Sequence, residues 1–184
     1  PVTAAAVAAA RTARACPVCD ADCVPADVLD LNKSCEEARG TVLPPAGIPI
    51  AYVQCTRCRF CFAPEMHAWP RDDFAAKIYN ADYTKVDPDH DHARPQANAA
   101  YLRGLLGAQA AAIRHLDYGG GNGLLSRLLV DAGWNSTSYD PYYDDATDIA
   151  ALPRFDLITA FEVFEHVPAV QALMTNLNAL LEPD

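Results

Sequence analysis

One stretch limits what this chain can fold into more than any other: Asp117-Tyr118-Gly119-Gly120-Gly121-Asn122-Gly123. Glycines packed this densely let the backbone turn sharply and let a ligand lie against bare main chain. The flanks say what the turn connects. Residues 113–118 predict a short strand, and residues 124–132 a helix stopped by Gly133. Residues 136–139 predict a second strand ending on Asp140-Pro141, and residues 155–160 a third. Residues 169–181 predict a helix with Leu173, Leu177, Leu180 and Leu181 on its buried face. Strands alternating with helices imply an α/β fold with a parallel sheet of the doubly wound kind.

The finer pattern of the loop selects among ligands. A dinucleotide fingerprint G-x-G-x-x-G starting at Gly119 needs glycine at 124, where this chain has Leu124. An NAD-type oxidoreductase is therefore disfavoured. The loop fits D/E-x-G-x-G-x-G, with Asp117 at the tip of the first strand. A second acid, Asp140, follows Gly123 by seventeen residues at the end of the next strand. A carboxylate there suits the hydroxyls of a ribose, although Asp140-Pro141 also reads as a plain strand-ending turn.

These residues resemble a known family. His115-Leu116-Asp117 with its glycine loop, Tyr139-Asp140-Pro141, and residues 155–167 (Phe155 through Glu165-His166-Val167) resemble successive motifs of the class I S-adenosylmethionine (SAM)-dependent methyltransferases. The resemblance implies a Rossmann-like sheet in which Gly119, Gly121 and Gly123 wrap the methionine part of SAM. It places Asp117 near the amino group, Asp140 at the ribose hydroxyls, and Ala160, Phe161 and Glu162 along the cofactor. Two departures stand out. Only fourteen residues separate Asp140 from Phe155, which compresses the family's third strand and leaves Asp148 or the Asp144-Asp145 pair for the adenine side. The chain also ends at Asp184, where the family's fifth strand would begin, so the C-terminal strands of the sheet are expected to be missing from it.

The cysteines carry a second signal. Cys16-Pro17-Val18-Cys19 and Cys55-Thr56-Arg57-Cys58 are two C-x-x-C pairs separated by 35 residues. Each pair lets two thiolates converge on one ion from a tight turn, and two pairs complete a tetrahedral zinc-ribbon site. Residues 26–31 and 48–54 predict short strands, with Pro44-Pro45 and Gly47 marking a turn between them. A module with so little apolar sequence leans on its metal. Four thiolates leave no open coordination position, so the expected Zn2+ is structural. The alternative is four buried or redox cysteines that happen to be paired. Cys23 and Cys61 are either substitute ligands or, as such leftovers more often are, ordinary small hydrophobes, and Cys35 has no assigned part. A C-P-x-C and C-x-R-C ribbon ahead of this α/β half is similar to zinc-binding bacterial methyltransferases, which include sugar-nucleotide C-methyltransferases; Cys55 to Pro64 carries most of that likeness.

The organisation expected is a flexible extension over residues 1–14, a zinc-ribbon module over 15–69, a helical linker or lid over 70–112, and a SAM-binding Rossmann-like domain over 113–184. The linker predicts a short helix at residues 71–79 and a longer one at 95–112, with Ala99, Leu102, Leu105, Leu106 and Ala110 on one side. Between them, Asp87 to His92 alternates Asp and His, and reads as a solvated loop rather than a metal cluster. The net charge is -10, and residues 71–184 hold 17 of the 24 acids against 8 of the 14 basic residues. Such a surface repels phosphate backbones, so nucleic acid is not the expected partner. No run of about 18 apolar residues suggests a membrane span. The Ala-rich start lacks the features of a secretory signal, and the expected location is the cytoplasm.

Methyl transfer from a sulfonium is an in-line displacement, so the enzyme aligns donor and acceptor and removes any proton on the acceptor. His166 and Glu165 are the candidate catalytic groups; the plainer reading is that His166 packs or caps at the next helix. Glu162 with Glu165-His166 also forms an arrangement that binds a divalent cation in some relatives of the family. Tyr79 and Tyr83 are candidates for closing a pocket, or simply packed rings. The function expected is SAM-dependent methylation of a small-molecule acceptor, a nucleotide sugar or a glycan or metabolite precursor. The alternative is a non-catalytic zinc-ribbon scaffold or SAM-binding interaction module.

Overall fold

The computed structural model describes residues 15–66, 69–80, 83–143, 148–167 and 169–183. The expected extension over residues 1–14 and the Asp144-Asp145 pair lie outside them. The chain divides into two compact units, one made of residues 1–88 with 168–171 and the other of residues 89–167 with 172–184.

In the first unit β1 (Cys23–Asp30) and β2 (Pro49–Cys55) run antiparallel, in register from Cys23 opposite Cys55 to Asp30 opposite Pro49. β3 (Cys61–Phe62) adds to the other edge of β2, opposite Val53 and Gln54. β1 starts three residues before the predicted strand. The register slips between Pro25 and Asp27. Proline has no N–H to give the ladder, so a bulge is tolerated there. The turn after β1 is tied by the Asp30 carboxylate, which accepts from the N–H groups of Asn32, Ala46 and Gly47 at 2.8–2.9 Å. The core is small: Cys16, Cys23, Val53, Cys55 and Phe62, with Phe60 stacked on Phe62. Helices α1 (Arg71–Lys77) and α2 (Tyr83–Val86) complete the unit. Tyr79 and Tyr83 pack edge to face on each other, 5.1 Å apart.

The second unit opens with α3 (Ala93–Leu106). The single helix expected to Ala112 breaks at Gly107, whose φ of 52° lies outside the helical region, and a 3-10 helix (Gly107–Ala112) follows. Ala99 and Leu102 are buried as expected, but Leu105 is 63% exposed. Then come β4 (Arg114–Tyr118), α4 (Leu124–Asp131), β5 (Asn135–Tyr139), β6 (Leu157–Thr159) and α5 (Val170–Leu180). β6 is shorter than predicted because Phe155 leaves the ladder and makes an isolated parallel bridge with Leu181.

The three strands form a parallel sheet in the order β5-β4-β6. Strand alternation divides β4 between two faces. Leu116 and Tyr118 join Tyr139, Phe155 and the α5 leucines Leu173, Leu177 and Leu180 in one core. The other face packs against Ala99 and Leu102 of α3, Leu125 and Leu129 of α4, and Trp134. At the far edge Arg114 forks onto Asp156 and reaches Glu182 at 2.9 Å, tying the start of β6 to the end of α5. Among the described residues no helix is long and apolar enough to cross a membrane.

Candidate functional site

The order β5-β4-β6 makes β4 a switch point, because the chain leaves it first to one side and later to the other. In open parallel sheets the crevice beyond the carboxyl ends of such strands is where ligands bind. The residues singled out for the methionine and ribose parts of SAM, and those bordering the cofactor, lie at that end. Asp117 is on β4 and residues 119–123 follow it, Asp140 follows β5, and residues 160–162 follow β6.

The glycine loop is shaped by three left-handed residues, Gly119, Gly121 and Gly123, with φ of 73°, 54° and 72°. A β-carbon on Gly119 would fall 2.4 Å from Val163 Cγ2, and one on Gly120 would fall 2.3 Å from Ser138 Oγ and 2.6 Å from Asp117 Oδ2. At Gly121 nothing lies within 4 Å of that position. The loop is thus closed against protein at Gly119 and Gly120 and bare at Gly121, as a backbone cradle for a ligand requires. The Gly119 N–H bonds the Tyr139 carbonyl at 2.7 Å, and Leu124 N–H bonds Asn122 Oδ1 at 2.9 Å, where α4 begins.

Asp140 is buried and braces the same loop. Its Oδ2 accepts from Gly121 N–H at 2.9 Å and its Oδ1 from Tyr142 N–H at 2.8 Å. Asp148 is committed locally: its side chain caps the short helix Ile149–Ala151 by accepting from Ala150 N–H. Ala160 packs against the α5-side core and Phe161 against the α3–α4 side. Glu162 is exposed and holds a φ of 54°, a left-handed conformation uncommon for a residue with a side chain and frequent at functional loops.

His166 and the exposed Glu165 sit in a short 3-10 helix (Phe164–His166), with His166 Nε2 3.8 Å from Glu165 Oε1. Glu162, Glu165 and His166 do not converge as a set of three ligands, nor does the Asp87-to-His92 stretch; the described residues that do converge are cysteines.

The sequence marked Asp117 as a cofactor residue and His115 only as part of the motif; the burial of both on β4 went unread. Burial pushes Asp117 up to about 7, against the lowering effect of a hydrogen bond from Thr159 and with help from the nearby charge of Asp140. His115, fully buried, is pushed down to about 4 by the same desolvation. The alternation of a strand was the available signal: His115 and Asp117 are two residues apart and must share a face.

In the first unit Cys16, Cys19, Cys55 and Cys58 bring their Sγ atoms within 4.8 Å of one another. The closest cross-pairs are Cys16–Cys58 at 3.6 Å and Cys19–Cys55 at 3.5 Å. Four sulfurs around one ion at about 2.3 Å would be about 3.8 Å apart, so the donor set fits a tetrahedral metal. The two knuckles are built alike. Each first cysteine bonds the carbonyl five residues on, Cys16 to Ala21 and Cys55 to Phe60. Each receives an N–H at sulfur from two residues on, Val18 and Arg57. Each second cysteine is followed by a left-handed residue, Asp20 (φ 57°) and Arg59 (φ 67°). For Cys55 burial raises the pKa, but the Cys58 and Arg57 amides with the Cys19 and Cys58 thiols bring it down to about 6, while Cys58, despite the Phe60 amide, is pushed up to about 12 by burial and those shared bonds; a metal would displace the proton the cluster holds there. Cys23 stays outside the group, and burial followed by the neighbouring thiolates pushes it up to about 11. Cys35 and Cys61 are exposed.

No curated protein matches this sequence significantly. A family profile described as a methyltransferase domain matches residues 90–184. That match covers just over half of the chain, takes in the whole carboxyl edge of the parallel sheet from the glycine loop to Glu162, and carries with it SAM-dependent methyl transfer of the class I kind: the chain belongs to the methyltransferase-domain family.

Proposed function

We propose that this protein binds SAM at the carboxyl edge of the β5-β4-β6 sheet and transfers its methyl group to a small-molecule acceptor. One observation carries the reading: the matched domain places a bare Gly121 beside Asp140, which already holds that glycine's N–H. In this reading the loop glycines cradle the methionine part and Asp117 faces its ammonium. Asp140 takes the ribose hydroxyls, and Ala160, Phe161 and Glu162 border the cofactor. SAM supplies an electrophilic methyl group; His166, with Glu165 beside it, is positioned after β6 to take a proton from the acceptor. The four cysteines hold a structural Zn2+, and thiolates kept for a metal suit the reducing cytoplasm. A nucleotide-linked sugar, or a related glycan or metabolite precursor, is the acceptor class proposed, from the resemblance of the ribbon at Cys55 to Pro64 to zinc-binding methyltransferases.

The deciding experiment is calorimetric titration of the zinc-loaded chain with S-adenosylhomocysteine (SAH). Micromolar binding is expected, together with its loss in Asp140→Ala. Because Asp140 also braces the loop, Gly121→Asn is the companion variant: space is open there and asparagine tolerates the φ of 54° better than other side chains, so lost binding in a variant that gives up no more than about 1 kcal/mol of stability reports a blocked ligand. Absence of SAH binding to well-folded wild-type protein would sink the proposal. Turnover of labelled methyl groups with candidate acceptors separates an enzyme from a SAM-binding module.

A further inference from the structure

Five side chains form one hydrogen-bonded line across the α4-covered face of the sheet. Ser126 of α4 meets Ser136 of β5 at 3.0 Å, and Ser136 Oγ meets His115 Nδ1 at 2.8 Å. His115 Nε2 meets Thr159 Oγ1 at 3.0 Å, and Thr159 Oγ1 donates to Asp117 Oδ1 at 3.0 Å. Strand register builds the line, since His115 lies opposite Ser136 and Asp117 opposite Thr159. Its end at Asp117 lies directly beneath the loop, where Oδ2 fills the space a β-carbon on Gly120 would need.

A hydroxyl has one proton to give, so the line has a direction. With Asp117 ionised, Thr159 gives its proton to the carboxylate and must accept from Nε2–H. Nδ1 is then bare and accepts from Ser136. With Asp117 protonated, its O–H donates to Thr159, and Thr159 turns to donate to a bare Nε2. The imidazole proton then sits on Nδ1 and goes to Ser136, which donates to Ser126. The second state holds one more proton than the first, and the imidazole is neutral in both.

We infer that this line is a two-state relay in which His115 and Thr159 position Asp117: the tautomer of His115 follows the charge on Asp117, and a cationic group brought to Asp117 locks the relay in its ionised direction. Desolvation opposes charge at both titratable members, and it keeps the extra proton on Asp117 because His115 is pushed down to about 4 while Asp117 is pushed up to about 7. The charged neighbour at the end of β5 is Asp140. α4 contributes Ser126, with Arg127 turned to the Asn122 carbonyl. The other side chains packed on this face, among them Ala99, Leu102, Leu125, Leu129 and Trp134, are apolar. The ligand arm of the inference rests on the SAM reading above, in which the cation is the cofactor's ammonium.

The test uses the full chain with isotope-labelled histidine, in NMR spectra that resolve protonated from bare ring nitrogens. The His115 signal is assigned by its loss in His115→Gln. Without ligand, the Nε2–H form is expected well above the Asp117 midpoint and the Nδ1–H form well below it. SAH added at the low pH should return the signal to Nε2–H. Thr159→Val should leave the tautomer indifferent to pH, and Thr159→Ser should restore the response, which mere filling of space would not do. One unchanging tautomer in the wild-type protein at both pH values overturns the relay. SAH that binds by calorimetry without moving the tautomer overturns its coupling to ligand. If SAH does not bind at all, the proposed function fails, and the pH arm alone upholds or overturns the relay.

Discussion

Arg59 and Asp20 show how single residues serve a site through the turn of their backbone. Each follows the second cysteine of a knuckle with a positive φ, Arg59 at 67° and Asp20 at 57°. The backbone must turn there to bring the carbonyls of Phe60 and Ala21 back onto Cys55 and Cys16. A β-carbon makes that conformation costly, and aspartate tolerates it better than arginine does. Arg59→Gly is therefore expected to stabilise the metal-loaded protein by about 0.5–1 kcal/mol, the strain relieved less the extra entropy of an unfolded glycine, with a smaller gain for Asp20→Gly. Urea denaturation measures both; a loss in either variant would mean the knuckle is not strained. Gly120 argues in the opposite direction. Its missing β-carbon would meet Ser138 Oγ at 2.3 Å and Asp117 Oδ2 at 2.6 Å, so Gly120→Ala should cost about 1–3 kcal/mol as overpacking. Adding Ser138→Gly should recover part of that loss, since it removes one of the two obstructing atoms.

At the scale of elements, what could be read in advance was whatever depended on local pattern. The strand–loop–helix run from Arg114 to Asp131 and the α5 leucines were legible, because periodicity and glycine placement are local. Leu105 was misjudged because, at 3.6 residues per turn, it stands about a third of a turn away from Ala99 and so at the edge of the buried side. β1 was placed late because its start is set by pairing with Cys55, a partner distant in sequence. The line from Ser126 to Asp117 was invisible for the same reason, being assembled by register between three strands. The two knuckles, by contrast, were legible as C-x-x-C pairs, and their convergence makes a firm prediction. The purified chain should carry about one Zn2+, four thiolates being a full tetrahedral set. Cys55→Ser should lose the metal and melt the β1-β2-β3 sheet, whose apolar core is too small to hold alone. Cys61→Ser should retain it. Metal analysis with far-UV circular dichroism decides, and a metal-free chain with an intact first sheet would count against the site.

Over the whole molecule, the buried acid and base of β4 act on stability in opposite directions across one pH window. Asp117, raised from 3.8 to about 7, keeps a proton in the fold that the unfolded chain releases, so stability falls as pH rises through that range. His115, lowered from 6.5 to about 4, refuses a proton that the unfolded chain takes up, so stability falls as pH drops through that range. Either effect alone is worth about 3–4 kcal/mol at full extent, and together they nearly cancel. Asp156, held down at about 2 by Arg114, loses its contribution only on the acid side of the window, as pH falls below the ordinary carboxylate range. Ligand-free protein should thus show a nearly flat profile between pH 4 and 6.5, and single substitutions should tilt it in opposite senses. Asp117→Asn leaves the histidine unopposed, so stability should climb by about 3 kcal/mol with rising pH. His115→Gln leaves the acid unopposed, so stability should fall by about 4 kcal/mol as pH rises to 7. Acid also strips zinc from thiolates, so the readout must belong to the second unit. Trp134, packed edge-on against His115, provides it once Trp69→Phe removes the other tryptophan fluorescence. Urea midpoints followed by Trp134 should diverge in this way. Two parallel profiles would mean that the charges at Asp117 and His115 are solvated, and that the sheet face beneath the glycine loop is not the dry environment its packing implies.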